Sequence, residues 1–374
     1  MYKILVIDDN ETIRKILRHH LRKIGCDVAV AAGATAVSKA IKYIPDLVLL
    51  DLDMAGMSGY DILREFRTYE QFKDCPVVIV SPHKDRESII NAFKKGANDY
   101  VVKPFDIGVL IGKIVGWQHS RMECQWSELP DDIGKALRLL KVAMNESVEN
   151  IIKSNPLPLS TIRTACEILY LTLDNKNIAP ILRAVDGYNS TLFLRSLLIC
   201  VNIMLYTKYN GYKKEDIIDM SIAGFLQNIG SAKIPDKIIF KPGNLDPNEY
   251  DEVKLHVQYG IDIMDKTPDM PDVIKLICKF HHERIDGSGY PYGIKGDQIC
   301  DEAHLAAIVE TYCAITTKSV YREAKTTEEA VNIMMSMDAL LNHIILKDFI
   351  RAVKNKFILP VSNVNPIPHT NTHN

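Results

Sequence analysis

Leu47-Val48-Leu49-Leu50-Asp51 is a short apolar run that ends on an acid, and it sets the fold of the first third of the chain. Such a run fits a strand covered on both faces. The same pattern recurs on either side. Upstream, Lys3-Ile4-Leu5-Val6-Ile7 stops at Asp8-Asp9-Asn10, and Asp27-Val28-Ala29-Val30 follows. Downstream, Pro76-Val77-Val78-Ile79-Val80 ends in Ser81, and Asp99-Tyr100-Val101-Val102 ends in Lys103-Pro104. Helical spacing fills the gaps, as in Ile13, Ile16, Leu17 and Leu21 before Gly25, and again over 34–43 before Pro45. Five apolar strands alternating with helices predict an α/β doubly wound, five-stranded parallel sheet. Ligands of such sheets sit at the carboxyl ends of the strands.

The polar residues at those ends are Asp8, Asp9, Asp51, Ser81 and Lys103. Three carboxylates brought together repel one another, which favours a divalent cation of the Mg2+ type. An aspartate screened by metal accepts a phosphoryl group as an acyl phosphate, and a hydroxyl and an ammonium then bind its oxygens. The plainer alternative is five strand-end polar residues with no joint role.

Residues 1–120 resemble the receiver domain of bacterial response regulators, which has the flavodoxin-like order of elements. The resemblance implies that Asp51 is the phosphoacceptor and that Asp8 and Asp9 hold Mg2+ with it. It makes Ser81 the switch hydroxyl, Lys103 the phosphate-binding lysine and Tyr100 the aromatic whose rotamer reports phosphorylation. It implies a cis bond at Lys103-Pro104 and a sensor histidine kinase as partner. One departure is Ala55, where proline is usual.

Residues 121–185 read as a helical connector. A helix from Asp106 to about His119 is followed by a break at Ser127 to Asp132. Apolar residues then recur at Ile133, Leu137, Leu140, Met144, Val148 and Ile151, a single stripe. The stripe suits a lever between domains, a homodimer seam, or a helix packed on the C-terminal domain. Asn155-Pro156-Leu157-Pro158-Leu159 breaks the helix, and Ser160 is placed to cap the next one.

Residues 186–358 carry helical period throughout, over 192–209, 214–229, 248–266, 272–282, 303–317 and 327–337, with a last helix from Leu346. No strand alternation competes, so this part is expected to be all-α. Within it stands His281-His282-Glu283-Arg284-Ile285-Asp286-Gly287-Ser288-Gly289-Tyr290-Pro291. Adjacent imidazoles on a helix diverge by about 100°, which suits two neighbouring metals better than chelation of one. The glycines let the backbone leave the helix sharply.

That run resembles the signature of HD-GYP domains, the HD-superfamily phosphodiesterases that use metal to open cyclic di-GMP. The resemblance also covers Ile234-Pro235-Asp236-Lys237-Ile238 and Lys241-Pro242-Gly243. It implies a ligand set that this chain keeps only in part. Asp186-Gly187-Tyr188 is present, but Leu192 stands where the first histidine belongs. The His-Asp pair is Gln227-Asn228, and the lysine after it is Ser231. His256, His281 and His282 are kept. Glu310 aligns with the late aspartate, Cys313 with the next, and Arg322 is kept. Amides bring only neutral oxygens and cannot offset a divalent charge. The remnant His256, His281, His282 and Glu310 suits one Fe, Mn or Zn ion, or none, and not a pair bridged by water.

Three readings follow from the resemblance. The domain is a degenerate module acting by protein contact or by binding cyclic di-GMP; or it is a weak phosphodiesterase switched by phosphorylation; or the histidines are structural remnants. In the family the Gly289-Tyr290-Pro291 loop is implicated in contacts with GGDEF-domain diguanylate cyclases; the alternative is that these residues fold a turn. Lys241, Lys295 and Arg322 are candidates for nucleotide phosphates.

The rest of the chain bounds these readings. Its 374 residues are 47% hydrophobic and 25% charged, ordinary for a globular protein with two or three domains. A net charge of −2 gives no reason to expect DNA or an anionic membrane as partner. Eight scattered cysteines without a CxxC, no signal peptide and no apolar run near 20 residues place the chain in the cytoplasm with reduced thiols. Thr326 to Glu329 is a helix-capping signal. Residues 359–374 turn to Asn, Pro, Thr and His and read as a disordered tail.

Overall fold

The structure, a computed structural model, describes residues 2–23, 26–54, 56–126, 129–173, 192–239, 241, 245–317, 324–337 and 340–358. The chain divides into two compact units, the first Met1–Met122 and the second beginning at Glu123.

The first unit contains β1 (Lys3–Ile7), α1 (Glu11–Lys23), β2 (Asp27–Ala31), α2 (Ala36–Tyr43), β3 (Leu47–Leu50), α3 (Gly59–Phe66), β4 (Val77–Ser81), α4 (Arg86–Lys94), β5 (Asp99–Val102) and the start of α5 (Ile107–Trp126). The strands pair in parallel in the order β2-β1-β3-β4-β5. Ile7 stands opposite both Ala31 and Leu50, and Ser81 opposite Val102, so the polar residues after the strands share one edge. The strands' two-residue period sorts the core into two layers. Leu5, Ile7, Val48, Leu50 and Ile79 face α2 and α3. Ile4, Val6, Leu47, Leu49, Val78 and Val80 face α1 and α5. Both faces are apolar, which is why the sequence shows runs rather than alternation.

The division between units falls inside α5, which continues to Trp126, beyond the expected end near His119. Apolar burial accounts for the extension: Trp126 is fully buried and packs on Phe193 with ring centres 6.0 Å apart.

The second unit is all-helical among the described residues: α6 (Asp131–Lys153), α7 (Leu159–Thr172), α8 (Leu192–Tyr209), α9 (Lys214–Leu226), α10 (Asp236–Ile239), α11 (Pro247–Met264), α12 (Asp272–Phe280), α13 (Asp301–Thr316), α14 (Thr327–Met335) and α15 (His343–Lys354). Ile133, Leu137, Leu140, Met144 and Ile151 of α6 are buried within this unit. The stripe is therefore a face packed on its own domain, not an open seam or a bare lever. Ser160 does not cap α7; Pro158 is the capping residue, and no side chain bonds there. The backbone N–H of Leu157 just before it donates to Thr267 Oγ1 at 3.0 Å, so a tertiary partner serves that entry. The capping box at Thr326 and Glu329 forms, and a second one forms at Asp246 and Glu249. Helix α8 is long and apolar enough to cross a membrane by length and composition, but most of it is buried inside the unit.

Candidate functional site

At the sheet's carboxyl edge, Lys103 reaches across from β5. Its Nζ donates to Asp8 Oδ2 at 2.7 Å and to Asp51 Oδ2 at 2.9 Å. Asp8, Asp51 and Ser81 are buried. Burial raises the Asp51 carboxyl, Lys103 opposes that, and Asp8 adds to it. Burial alone would lower the Lys103 ammonium, but its bonds to Asp8 and Asp51 carry it above the ordinary lysine value. Asp9 is partly exposed, and its Oδ1 accepts from the Gly33 N–H at 3.1 Å. The Lys103-Pro104 bond is cis. Ala55 lies outside the described residues.

Two residues that the sequence did not single out join this edge. His83 Nε2 lies 2.9 Å from Asp53 Oδ1. The Tyr100 hydroxyl donates to the His83 carbonyl at 2.8 Å, and the His83 N–H donates to Ser81 Oγ at 3.3 Å. The hydrogen bond that His83 donates to Asp53 raises its imidazole. The only signal was position: His83 follows Ser81 by two residues, and Asp53 follows Asp51 by two.

In the helical unit, His256, His281 and His282 converge. One ring nitrogen of each lies within 4.8 Å of the others. His256 Nε2 and His281 Nε2 are 3.4 Å apart, and the His281 and His282 ring centres are 4.2 Å apart. The expected divergence of the adjacent pair does not occur, because α12 stops at Phe280 and the two histidines lie on the turn beyond it. Backbone carbonyls orient the first two rings: His256 Nδ1 bonds Val253 O at 2.7 Å, and His281 Nδ1 bonds Cys278 O at 2.9 Å. That leaves each Nε2 facing the cluster. Burial pushes His281 down to about 4 and lowers His256 and His282, so the three rings are neutral donors near pH 7.

The other ligand positions behave differently. Leu192 begins α8 and offers no lone pair. Gln227 and Asn228 are buried where α9 ends. Both turn an amide N–H towards Glu310: Gln227 Nε2 to Oε2 at 3.1 Å and Asn228 Nδ2 to Oε1 at 2.9 Å. Arg195 makes a third contact, donating to Glu310 Oε1 at 2.5 Å. Burial alone would raise the Glu310 carboxyl, yet the Arg195 guanidinium holds it well below the ordinary carboxylate range. Glu310 Oε2 is 3.9 Å from His281 Nε2. Cys313 is no thiolate: burial pushes it up to about 12, and its Sγ accepts from Asn202 Nδ2 at 3.3 Å. Ser231 sits in the one-turn segment Ile229–Lys233. That turn lies against α11 so closely that a Cβ on Gly230 would fall 1.9 Å from His256 O.

Arg195 was missed by the sequence reading. Its signal was its place one helical turn beyond Leu192, on the same face.

The Tyr290 loop points inward. Tyr290 stacks on His282 with ring centres 4.6 Å apart and meets His256 edge-on. A Cβ on Gly289 would fall 2.4 Å from both Arg284 N and Glu283 Cα, so this glycine is required by the turn. Glu283, buried, fixes the loop by accepting from the Tyr292 N–H at 2.7 Å. Lys241 is held by Glu249, with Asp246 at 3.9 Å, which engages its charge within the protein. Lys295 is exposed, with its stem beside Gly287. Tyr188, Pro242, Gly243, Arg322 and residues 359–374 lie outside the described residues.

Family models match both units: the response regulator receiver domain over residues 4–115 and the HD domain over residues 196–342. A Vibrio cholerae protein named as a probable cyclic di-GMP phosphodiesterase is 27% identical over 344 residues, 89% of this chain and 73% of its own. The cyclic di-GMP phosphodiesterase response regulator RpfG of Xanthomonas campestris is 27% identical over 335 residues, 88% of this chain and 81% of its own. The chemotaxis protein CheY-3 of Vibrio cholerae is 39% identical over 114 residues, 30% of this chain and 88% of its own. The chain belongs to the response regulators, with a receiver domain followed in the same chain by an HD domain.

Proposed function

We propose that Asp51 accepts a phosphoryl group from a sensor histidine kinase and that the helical unit, residues 186–358, passes the signal on without hydrolysing cyclic di-GMP. One observation carries the second half. Gln227 and Asn228 act as donors to Glu310, with Arg195 beside them. A carboxylate that already accepts three hydrogen bonds, one of them from a guanidinium, is poorly placed to bind a divalent ion.

In the receiver, Asp8, Asp9 and Asp51 would hold Mg2+, since the Lys103 ammonium already meets two carboxylates, Asp8 and Asp51, and leaves negative charge for an ion to balance. The ion would supply the charge that lets an anionic phosphodonor approach. An Asp51 oxygen attacks the phosphorus, and the donor imidazole leaves. Lys103 exchanges its bond to Asp51 for one to a phosphoryl oxygen. The Ser81 hydroxyl donates to another. Its movement shifts the His83 backbone, and with it the hydroxyl of Tyr100.

The output works in cyclic di-GMP signalling by nucleotide binding or by contact with a partner such as a GGDEF-domain cyclase. Tyr290 supports the nucleotide route, since its ring lines the histidine cluster. Pro291 and Tyr292 are the exposed part of that loop and are what a protein partner would meet. A second reading, a weak phosphodiesterase with one Fe, Mn or Zn ion, is favoured by the convergence of His256, His281 and His282. Three neutral imidazoles would hold such an ion, which when bound would acidify a water.

Turnover separates the two. The full chain, treated with beryllofluoride and supplied with manganese, is incubated with cyclic di-GMP and analysed for linear dinucleotide. No product above that of His281→Ala is expected. Product that disappears in His281→Ala would establish the second reading.

A further inference from the structure

We propose that Arg195 is the built-in cation of the helical site, holding Glu310 out of any metal set so that only His256, His281 and His282 remain as ligands. The inference rests on the non-hydrolytic reading above and assigns its cause to one residue outside the ligand motif.

Three observations carry it. First, the pairing is direct, through an Arg195 N–H on Glu310 Oε1 at 2.5 Å, and Asn228 donates to the same oxygen. Second, the surroundings close the other side. Gln227 takes Oε2, and His281 Nε2 stands 3.9 Å from the same oxygen. Arg195 is the one Lys or Arg side chain in contact with the carboxylate among the described residues. Third, the two partners differ in exposure. The Glu310 side chain is 7% exposed and that of Arg195 is 44% exposed. The pair is an anion fixed in the core with its counter-ion reaching in from solvent, so the guanidinium can be removed without opening a cavity. Removal of one partner of such a pair leaves a buried charge seeking another cation.

The positions of the amides fit the same account. A histidine and an aspartate at 227 and 228 would offer lone pairs and a second carboxylate beside Glu310, which suits a metal. Gln227 and Asn228 supply donors instead, and their neutral side chains do not repel Arg195. Arg195, Gln227 and Asn228 therefore act together as a neutralising cradle for one carboxylate.

The test is zinc affinity of the full chain in excess magnesium, which fills the oxygen site of the receiver. Zinc that persists in His281→Ala is subtracted as non-specific. Arg195→Met leaves Glu310 charged and unpaired beside His281, and zinc is expected to bind about tenfold more tightly than in the wild type. Arg195→Met with Glu310→Gln removes both charges and is expected to return to the wild-type affinity. Glu310→Gln alone leaves Arg195 unbalanced and is expected to weaken zinc.

Unchanged affinity in Arg195→Met would overturn the proposal. So would a double variant that binds zinc tenfold more weakly than the wild type, since Glu310 would then be a ligand despite Arg195. If Arg195→Met does not fold, the double variant, which keeps no unpaired charge, decides alone. Zinc affinity is independent of turnover: linear dinucleotide would refute the non-hydrolytic reading without touching this cycle.

Discussion

The two units each bring carboxylates, amines or imidazoles together, and they differ in how the charge balances. At the receiver edge, two carboxylates, Asp8 and Asp51, share the ammonium of Lys103, and burial leaves Asp51 with a raised carboxyl. In the helical unit, one carboxylate, Glu310, meets a guanidinium and two amide donors and is held well down. The first arrangement sets two carboxylates against one ammonium; the second answers its single carboxylate from within the protein. Ligand identity alone does not separate such sites. The sign of what surrounds each carboxylate does.

The largest expected effect comes from unbalancing the first site. Lys103→Met leaves Asp8 and Asp51 buried without their shared cation. Without magnesium, the first unit should lose about 3 kcal/mol in denaturant unfolding. Added magnesium should restore much of it, by binding the folded state alone. A loss that magnesium leaves untouched would remove the charge argument.

Acid should act on the second site. His281 is fully buried and lowered to about 4 from an ordinary 6.5, so between those values the unfolded chain binds more protons than the folded one. Stability should therefore be constant above pH 6.5 and fall as pH drops from 6.5 to 4, by roughly 3 kcal/mol for this ring alone. Burial lowers His256 and His282 as well, which deepens the fall. Unfolding of His281→Phe as a function of pH should show a shallower slope over the same window.

A smaller effect is expected where the backbone rather than charge decides. Gly289→Ala places a methyl against Arg284 N and Glu283 Cα, which should cost about 2 kcal/mol and displace Tyr290 from His282. Thermal unfolding, together with the fluorescence of the tyrosines, reads both. The smallest is Lys241→Ala, which removes a partly exposed ion pair with Glu249 and should change stability by less than about 1 kcal/mol. Cyclic di-GMP affinity should be unchanged, since Lys241 is held by protein acids; a large loss on titration would return Lys241 to the phosphate site.

Much of the receiver was legible because its signals are local. A strand covered on both faces is an apolar run, and the residue after it lies at the sheet's carboxyl edge, where Asp51 and Lys103 meet. Helix α8 was legible for the same reason, over Leu192–Tyr209 as expected. The rest depended on contacts between distant segments. The convergence of His281 and His282 turned on α12 ending at Phe280, two residues sooner than its apolar spacing implied. The role of Arg195 needed α8 and α13 to be neighbours, 115 residues apart in sequence. Ser160 looked like a cap, but Thr267, on the turn after α11, met the backbone at that entry. The α6 stripe could not declare its partner, because an apolar face reads alike whichever surface covers it.

The most direct measurement is the transition-metal content of the full chain, purified without oxygen in excess magnesium, which fills the receiver carboxylates, after expression with iron and manganese, and counted by mass spectrometry. Because Arg195, Gln227 and Asn228 occupy Glu310, at most one metal per chain is expected, lost in His281→Ala. Two metals per chain would contradict this, showing that Glu310 and the amide positions ligate despite their hydrogen bonds.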